Sequence, residues 1–298
     1  MSRPPINPEG TVLATSANIK PLKAEYLRPP VKTTDFTSKK LAGRLYAAAE
    51  GQLLVADRPN AVGGEAVAVE IPQLAAGRKE SAYGVRFGQL ALFGEGDSLA
   101  SSELVALKSQ PITVAARGML ASQYIRSTGV ATAYETVGVL RESGESVSHV
   151  SVYKPEVITL DNYLWKNYDT QPMAKLETAL AEAAYSLSVL HGVLNMSHGD
   201  AQAKNIAYSS GKDQPHFIDL DAAKRHDGLP FESADAHKLS DIEDFLRFQP
   251  QNFTSQQIAL FAEAYQDYST GMAHKSVGYK DILDVAQKSA HQPLFYDK

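Results

Sequence analysis

The sequence contains no cysteine, which excludes disulfides, thiolate metal sites and cysteine nucleophiles together. It has no run of about 20 apolar residues, the length a membrane-spanning helix needs. It also has no long Lys/Arg tract that could serve as a basic tail for nucleic acid or an acidic membrane. Its eight histidines show no HExxH spacing, so no zinc helix is expected. Any metal should instead sit on carboxylate and amide oxygens, which suit a hard ion such as magnesium. A formal net charge of -5 over 298 residues gives no electrostatic reason to expect a nucleic-acid partner. The first ten residues are polar and proline-bearing, without the apolar stretch of a secretory signal, and a cytoplasmic location is the expectation.

What is present is ordinary for a globular chain: 44% hydrophobic and 21% charged residues, enough for one two-lobed domain or two small ones. Residues 1–40 are rich in Pro, Thr and Lys and read as an extended or disordered arm. From Leu41 onward, short apolar runs alternate with turn residues. Leu53 to Val55, Ala66 to Ile71, Val85 to Phe93 and Leu104 to Leu107 read as strands, separated by signals such as Gly63-Gly64 and Gly94 to Asp97. A helix is expected from Pro111 to about Ser127, stopped by Gly129. Strands follow at Ala133 to Leu140 and Val147 to Tyr153, turning near Gly144. A linker near Lys154 to Asp161 leads into a helical second half. There, Leu176, Leu180, Ala183, Leu187 and Leu190 predict one amphipathic helix from Met173 to His191. A small hairpin is expected around Gly211, then helices from His237 to Phe248 and from Ser255 to Tyr268.

The densest cluster of polar signals is Ser197-His198-Gly199-Asp200-Ala201-Gln202-Ala203-Lys204-Asn205, followed downstream by Phe217-Ile218-Asp219-Leu220-Asp221. An HxD-x4-N loop ahead of an apolar-apolar-Asp strand end resembles the catalytic loop and metal-binding segment of the protein-kinase-like superfamily. HGD at the loop start is similar to the aminoglycoside phosphotransferase and choline kinase branch. The resemblance implies an α+β, two-lobed protein-kinase-like fold. An antiparallel sheet with one helix would occupy 41–153, and a mostly helical catalytic lobe 154–298. Phosphoryl transfer needs a carboxylate to orient the acceptor hydroxyl and take its proton, and a metal to neutralise the phosphates. The resemblance assigns the first role to Asp200 and the metal to Asn205, Asp219 and Asp221. His198 is expected to be a structural peg rather than a proton carrier.

Upstream, Leu104-Val105-Ala106-Leu107-Lys108 resembles the V-A-I-K strand, which implies that Lys108 contacts the ATP phosphates. Val152, Tyr153 and Lys154 are similar to the hinge, whose backbone meets the adenine edge. The glycine-rich phosphate cover has its best match at Gly77, Lys79, Ser81 and Gly84, with Lys79 and Ser81 standing in for glycines or the stretch being an ordinary hairpin turn.

Three features depart from the family pattern. The glycine loop is sparse. The helix after Lys108 has no glutamate to pair with it, so Glu135 is the alternative partner. No A-P-E segment follows Asp219. Asp241, in Ser240-Asp241-Ile242, is read as opening a helix, where it either braces the loop or is simply exposed.

The leading expectation is an ATP- and magnesium-dependent phosphotransferase acting on a hydroxyl, with a small-molecule acceptor favoured by the HGD loop and the missing A-P-E segment. The alternatives are an inactive nucleotide-binding scaffold, a protein Ser/Thr kinase, and an enzyme that transfers AMP on the same fold.

Overall fold

The structure, a computed structural model, describes residues 20–22, 24–27, 39–56, 66–70, 85–93, 99–130, 136–142, 146–152, 158–167, 173–208, 217–247 and 253–290. These fall into two units. The first takes residues up to 124 together with 134–154, and the second takes 125–133 and everything from 155 onward.

The first unit holds β1 (Lys20–Leu22), β2 (Ala24–Leu27), α1 (Lys39–Ala47), β3 (Leu53–Ala56), β4 (Ala66–Glu70), β5 (Val85–Phe93), β6 (Leu99–Pro111), most of α2 (Ile112–Ser127), β7 (Thr136–Arg141) and β8 (Ser146–Val152). Its eight strands form one sheet in the order β1-β4-β5-β6-β8-β7-β3-β2. Every neighbouring pair is antiparallel except β2 with β3. Side chains alternate across a strand. Val105 and Leu107 of β6 therefore share a face, where they pack with Leu53, Leu90, Val137 and Val150 into a buried cluster. Leu104, Ala106 and Lys108 belong to the other face. α2 ends where expected, because Gly129 adopts φ +78° and its N–H closes on Arg126 O at 3.0 Å.

β1 and β2 lie inside the stretch read as an arm. Only one residue separates them, yet they stand at opposite ends of the strand order. The sheet therefore curls far enough for β1 to pair with β4 and β2 with β3.

The second unit contains β9 (Ile158–Thr159), α3 (Leu160–Asn167), α4 (Met173–Ser188), β10 (Met196–Ser197), β11 (Ala207–Tyr208), β12 (Lys224–Arg225), α5 (Phe231–Arg247), α6 (Ser255–Ser269) and α7 (Tyr279–Ala290). α4 packs on α6, and α5 on α7. Leu180, Ala183, Ala184 and Leu187 of α4 are buried, as the helical periodicity requires. Between α5 and α6 the rings of Phe245 and Phe261 stack at 5.1 Å. α6 starts on a capping box: Thr254 Oγ1 accepts the Gln257 N–H at 3.2 Å, and Gln257 Oε1 accepts the Thr254 N–H at 2.9 Å.

The α+β class and the order of strands, helix, strands and helices are as expected. Four details differ. The helix expected to reach His191 stops at Ser188 and gives way to a wider turn over Val189–Val193, with Leu194 N donating to Val189 O at 3.0 Å. α5 begins at Phe231, not His237. Its first three residues are exposed, Phe231 at 74%, and its first buried apolar residue is the small Ala234, so periodicity does not reveal its start. Part of the expected linker is structured, since β9 pairs with β11 and Leu160 opens α3. Helices α1 and α7 were not anticipated. The turn positions at Gly63-Gly64, Gly94 to Asp97, Gly144 and Gly211 lie outside the described residues. No described helix is long and apolar enough to cross a membrane.

Phe245→Ala removes a ring that is 0% exposed and stacked on its neighbour. It should lower the unfolding free energy by about 3–5 kcal/mol, measured by denaturant titration followed through the helical signal.

Candidate active site

The HGD segment sits between β10 and β11. β10 pairs with β12 in the register Met196↔Arg225 and Ser197↔Lys224, which anchors the chain immediately before the loop. The loop then makes a sharp turn that only glycine accommodates easily. Gly199 has φ +80°, and a Cβ placed there would lie 2.5 Å from the carbonyl oxygen of Ala222. The glycine of HGD thus serves both backbone conformation and close packing against the segment after Asp219.

Asp241 holds this turn from below. It does not open a helix; it lies past the middle of α5 and is 0% exposed. Its Oδ2 accepts the His198 N–H at 2.6 Å, and its Oδ1 accepts the Gly199 N–H at 2.8 Å. His191 Nε2 approaches Oδ2 at 3.1 Å. Burial alone would raise the Asp241 pKa, but the hydrogen bond from His191, with further help from the His198 backbone amide, outweighs it and holds the carboxyl below its ordinary value. Burial is also the main reason that the His191 pKa is lowered. The wide turn at Val189–Val193 carries His191. It is a local π-helical insertion of the kind that recurs at functional sites. The other ring nitrogen of His191 lies 2.8 Å from Tyr265 Oη on α6.

His198 is the peg the sequence suggested. Its Nδ1 accepts the Asp200 N–H at 3.3 Å, and Nε2 donates to Ile218 O at 2.9 Å. With Nδ1 accepting, the ring proton resides on Nε2. His198 therefore ties the loop to the strand end that precedes Asp219.

Asp200 is gripped on both carboxylate oxygens. Gln202 Nε2 donates to Oδ1 at 2.6 Å, and Asn205 Nδ2 donates to Oδ2 at 2.8 Å. Asn205 Nδ2 also reaches the Asp200 carbonyl at 2.8 Å. A tight 3-10 turn over Ala203–Asn205 folds the chain back so that this reach is possible. The amide nitrogen of the buried Asn205 is committed to Asp200, so its Oδ1 is the atom turned elsewhere. Gln202 was not anticipated; it lay inside the quoted loop but carries no family signature.

Asp219 is brought beside the loop by its neighbours. Ile206 bridges Phe217 in antiparallel fashion, and Ile218 N donates to Asn205 O at 3.0 Å. Asp219 itself adopts φ 64° and ψ 52°, the left-handed region. For a non-glycine residue this costs roughly 1 kcal/mol and is concentrated at functional sites. Asp221 lies in the 3-10 turn Leu220–Ala222 that follows. Among the described residues no three His, Cys, Asp or Glu side chains gather as a metal cage.

The remaining expected site residues belong to the first unit or fall outside the described residues. Lys108 is on β6, opposite Val85 of β5 and His149 of β8. Val152 is the last residue of β8 and pairs with Val105. α2 contains no glutamate. Gly77, Lys79, Ser81, Gly84, Glu135, Tyr153 and Lys154 lie outside the described residues.

Asp244, one turn beyond Asp241, is a titratable group that sequence reasoning passed over. Burial, then repulsion from Asp241, Asp200 and Glu243, push its carboxyl up to about 7, with Arg247 in partial opposition.

No protein-family model and no curated protein matches this chain. Among solved structures it is similar to "WaaP in complex with acyl carrier protein", with a TM-score of 0.46 and 17% identity, over 68% of this chain and 84% of that one. A likeness at that level carries no conclusion about activity.

Two outcomes follow from this geometry. Gly199→Ala must place a methyl group against Ala222 O and hold alanine at positive φ. It should cost about 2 kcal/mol of stability, read as a lower denaturant midpoint. Asp244 holds its proton in the folded state up to about pH 7, whereas an unfolded aspartate releases it near pH ~3.9. Stability from this group is therefore present at low pH and lost as pH rises toward 7. Asp244→Asn should match the parent near the acid end and exceed its Tm progressively through that window, levelling off above it. A Tm difference independent of pH would show that Asp244 titrates normally.

Proposed function

We propose that this chain is an ATP- and magnesium-dependent phosphotransferase that moves a phosphoryl group to a hydroxyl, with Asp200 as the group that meets the acceptor. The reading is carried by the two-sided grip on Asp200. Gln202 and Asn205 each donate to one carboxylate oxygen, while the backbone on either side is fixed through Asp241 and His198. A carboxylate has lone pairs beyond those two bonds, so a hydroxyl can still donate to it. Held in one orientation, Asp200 aligns the acceptor oxygen and takes its proton as the new P–O bond forms and the bond to the departing nucleotide oxygen breaks.

The donor set fits a hard divalent ion. Asn205 Oδ1 is neutral and turned away from Asp200, Asp219 is anionic and held in a strained conformation, and Asp221 follows close behind. Magnesium is commonly bound by one or two protein oxygens together with phosphates and water. In this site it would be held by Asn205 and Asp219, with Asp221 nearby, and would supply charge neutralisation on the phosphates. Lys108 is the candidate for contacting the nucleotide phosphates, and the segment from Val152 to Lys154 for its adenine.

A small-molecule acceptor is the favoured class, since no A-P-E segment follows Asp219. A second reading, an inactive nucleotide-binding scaffold, draws support from one observation: α2 offers Lys108 no glutamate.

The test is transfer from ATP with magnesium to a panel of hydroxyl compounds, with product masses distinguishing phosphate from AMP. Asp200→Ala should lower turnover by at least about a hundredfold, and Asp219→Ala should also weaken magnesium-dependent nucleotide binding. Unchanged turnover in Asp200→Ala would remove its assigned role. Nucleotide binding without turnover on any acceptor would favour the scaffold.

A further inference from the structure

The contact between α6 and the wide turn ahead of the HGD loop assigns work to a residue with no role so far. We propose that Tyr265 is a positioning residue for the candidate catalytic loop, acting through His191 and Asp241 to hold the turn that presents Asp200. The inference rests on the phosphotransfer reading for its functional meaning, although its structural content stands without it.

The argument follows the protons. Asp241 Oδ2 accepts the His198 N–H and lies 3.1 Å from His191 Nε2. An ionised carboxylate only accepts, so Nε2 must carry a proton. His191 is 0% exposed, and burial disfavours its imidazolium form. In the neutral ring, protonation of Nε2 leaves Nδ1 as an acceptor. Its partner is the phenol of Tyr265 at 2.8 Å, which must therefore donate. Burial raises the Tyr265 pKa, so the phenol keeps its hydrogen. Ser276 and the backbone of Val277 also act on the phenol, and among the described residues the hydroxyl hydrogen is the one donor that His191 Nδ1 has within 2.8 Å. Every polar atom along the line from Tyr265 to the Gly199 amide then has one compatible donor or acceptor role.

Tyr265 is well placed to hold such a line rigid. It is 0% exposed, and its ring stands 6.5 Å from Phe261, which stacks in turn on Phe245. Removing the hydroxyl leaves a buried nitrogen without a donor and frees the His191 ring to turn or to exchange its proton between nitrogens. Either movement loosens the hydrogen bond that orients Asp241 beneath the loop. A residue that merely filled space would not discriminate between tyrosine and phenylalanine at this point.

The experiment is residue-resolved hydrogen exchange on the full chain, comparing wild type with Tyr265→Phe, alongside steady-state phosphotransfer. The His198 and Gly199 amides should exchange about tenfold faster in the variant, while amides in the middle of α4 keep their protection. kcat should fall several-fold, with KM for ATP unchanged. Unaltered exchange at His198 and Gly199 overturns the proposal, as does an equal loss of protection across α4, α6 and the loop, which would mark a packing role. If Tyr265→Phe fails to fold, the ring nitrogens of His191 are read by 15N NMR on the wild-type protein. The neutral ring protonated on Nε2 is expected, and the opposite tautomer or an imidazolium overturns the inference. Exchange results as expected in a wild-type protein that transfers no phosphate would sink the phosphotransfer reading alone.

Discussion

One buried carboxylate organises the second unit. Asp241 has no exposed surface, and a charge in that position is tolerable only when donors surround it. Two of those donors are consecutive backbone amides of the HGD turn, and the third is an imidazole from the wide turn that follows α4. Three segments distant in sequence therefore meet at one group, and the loop conformation follows. With His198 and Gly199 pinned, Gly199 is forced into positive φ against Ala222, and Asp200 emerges where Gln202 and Asn205 can grip it. The left-handed Asp219 is fixed from the same cluster, because His198 reaches Ile218 O while Asn205 O receives Ile218 N–H.

The parts of this arrangement differ in how visible they were in the sequence. Asp200, Asn205 and Asp219 were legible because their relation is local: a short loop, and a strand end that returns to it. Lys108 was legible as a strand residue for the same reason, since the alternation around Val105 and Leu107 marks β6 directly. Asp241 could be found, and bracing the loop was one of its two expected roles, but its place inside the helix was misread. Its helix begins with three exposed residues, so the apolar pattern placed the helix start several residues late and made a buried central residue look like a terminal one. The wide turn at Val189–Val193 was invisible because Leu187 and Leu190 continue the helical spacing, and the extra residue in the turn leaves no compositional mark. The pairing of His191 with Tyr265 spans two elements far apart in the chain, and single-sequence reasoning has no access to such contacts.

Asp200 and Asp244 show how burial and crowding make different uses of the same residue type. Asp200 is satisfied by two side-chain amides. Asp244 sits among other carboxylates and partly out of water, so it keeps its proton far longer than an ordinary aspartate. The concentration of acidic groups along this face of α5 costs stability that a neutral face would not. Such a cost is common near sites whose arrangement serves chemistry rather than folding.

The curled sheet of the first unit has a further consequence. β3 and β4 each carry a row of backbone amides and carbonyls along the side that faces away from the rest of the sheet. Both rows are covered by a single short piece of chain, the strands Lys20–Leu22 and Ala24–Leu27. Unpaired rows of this kind recruit other polypeptides and seed aggregation. Together these two strands act as a clasp that shields two vulnerable margins at once. Trimming the chain past Leu27 would leave both margins open together.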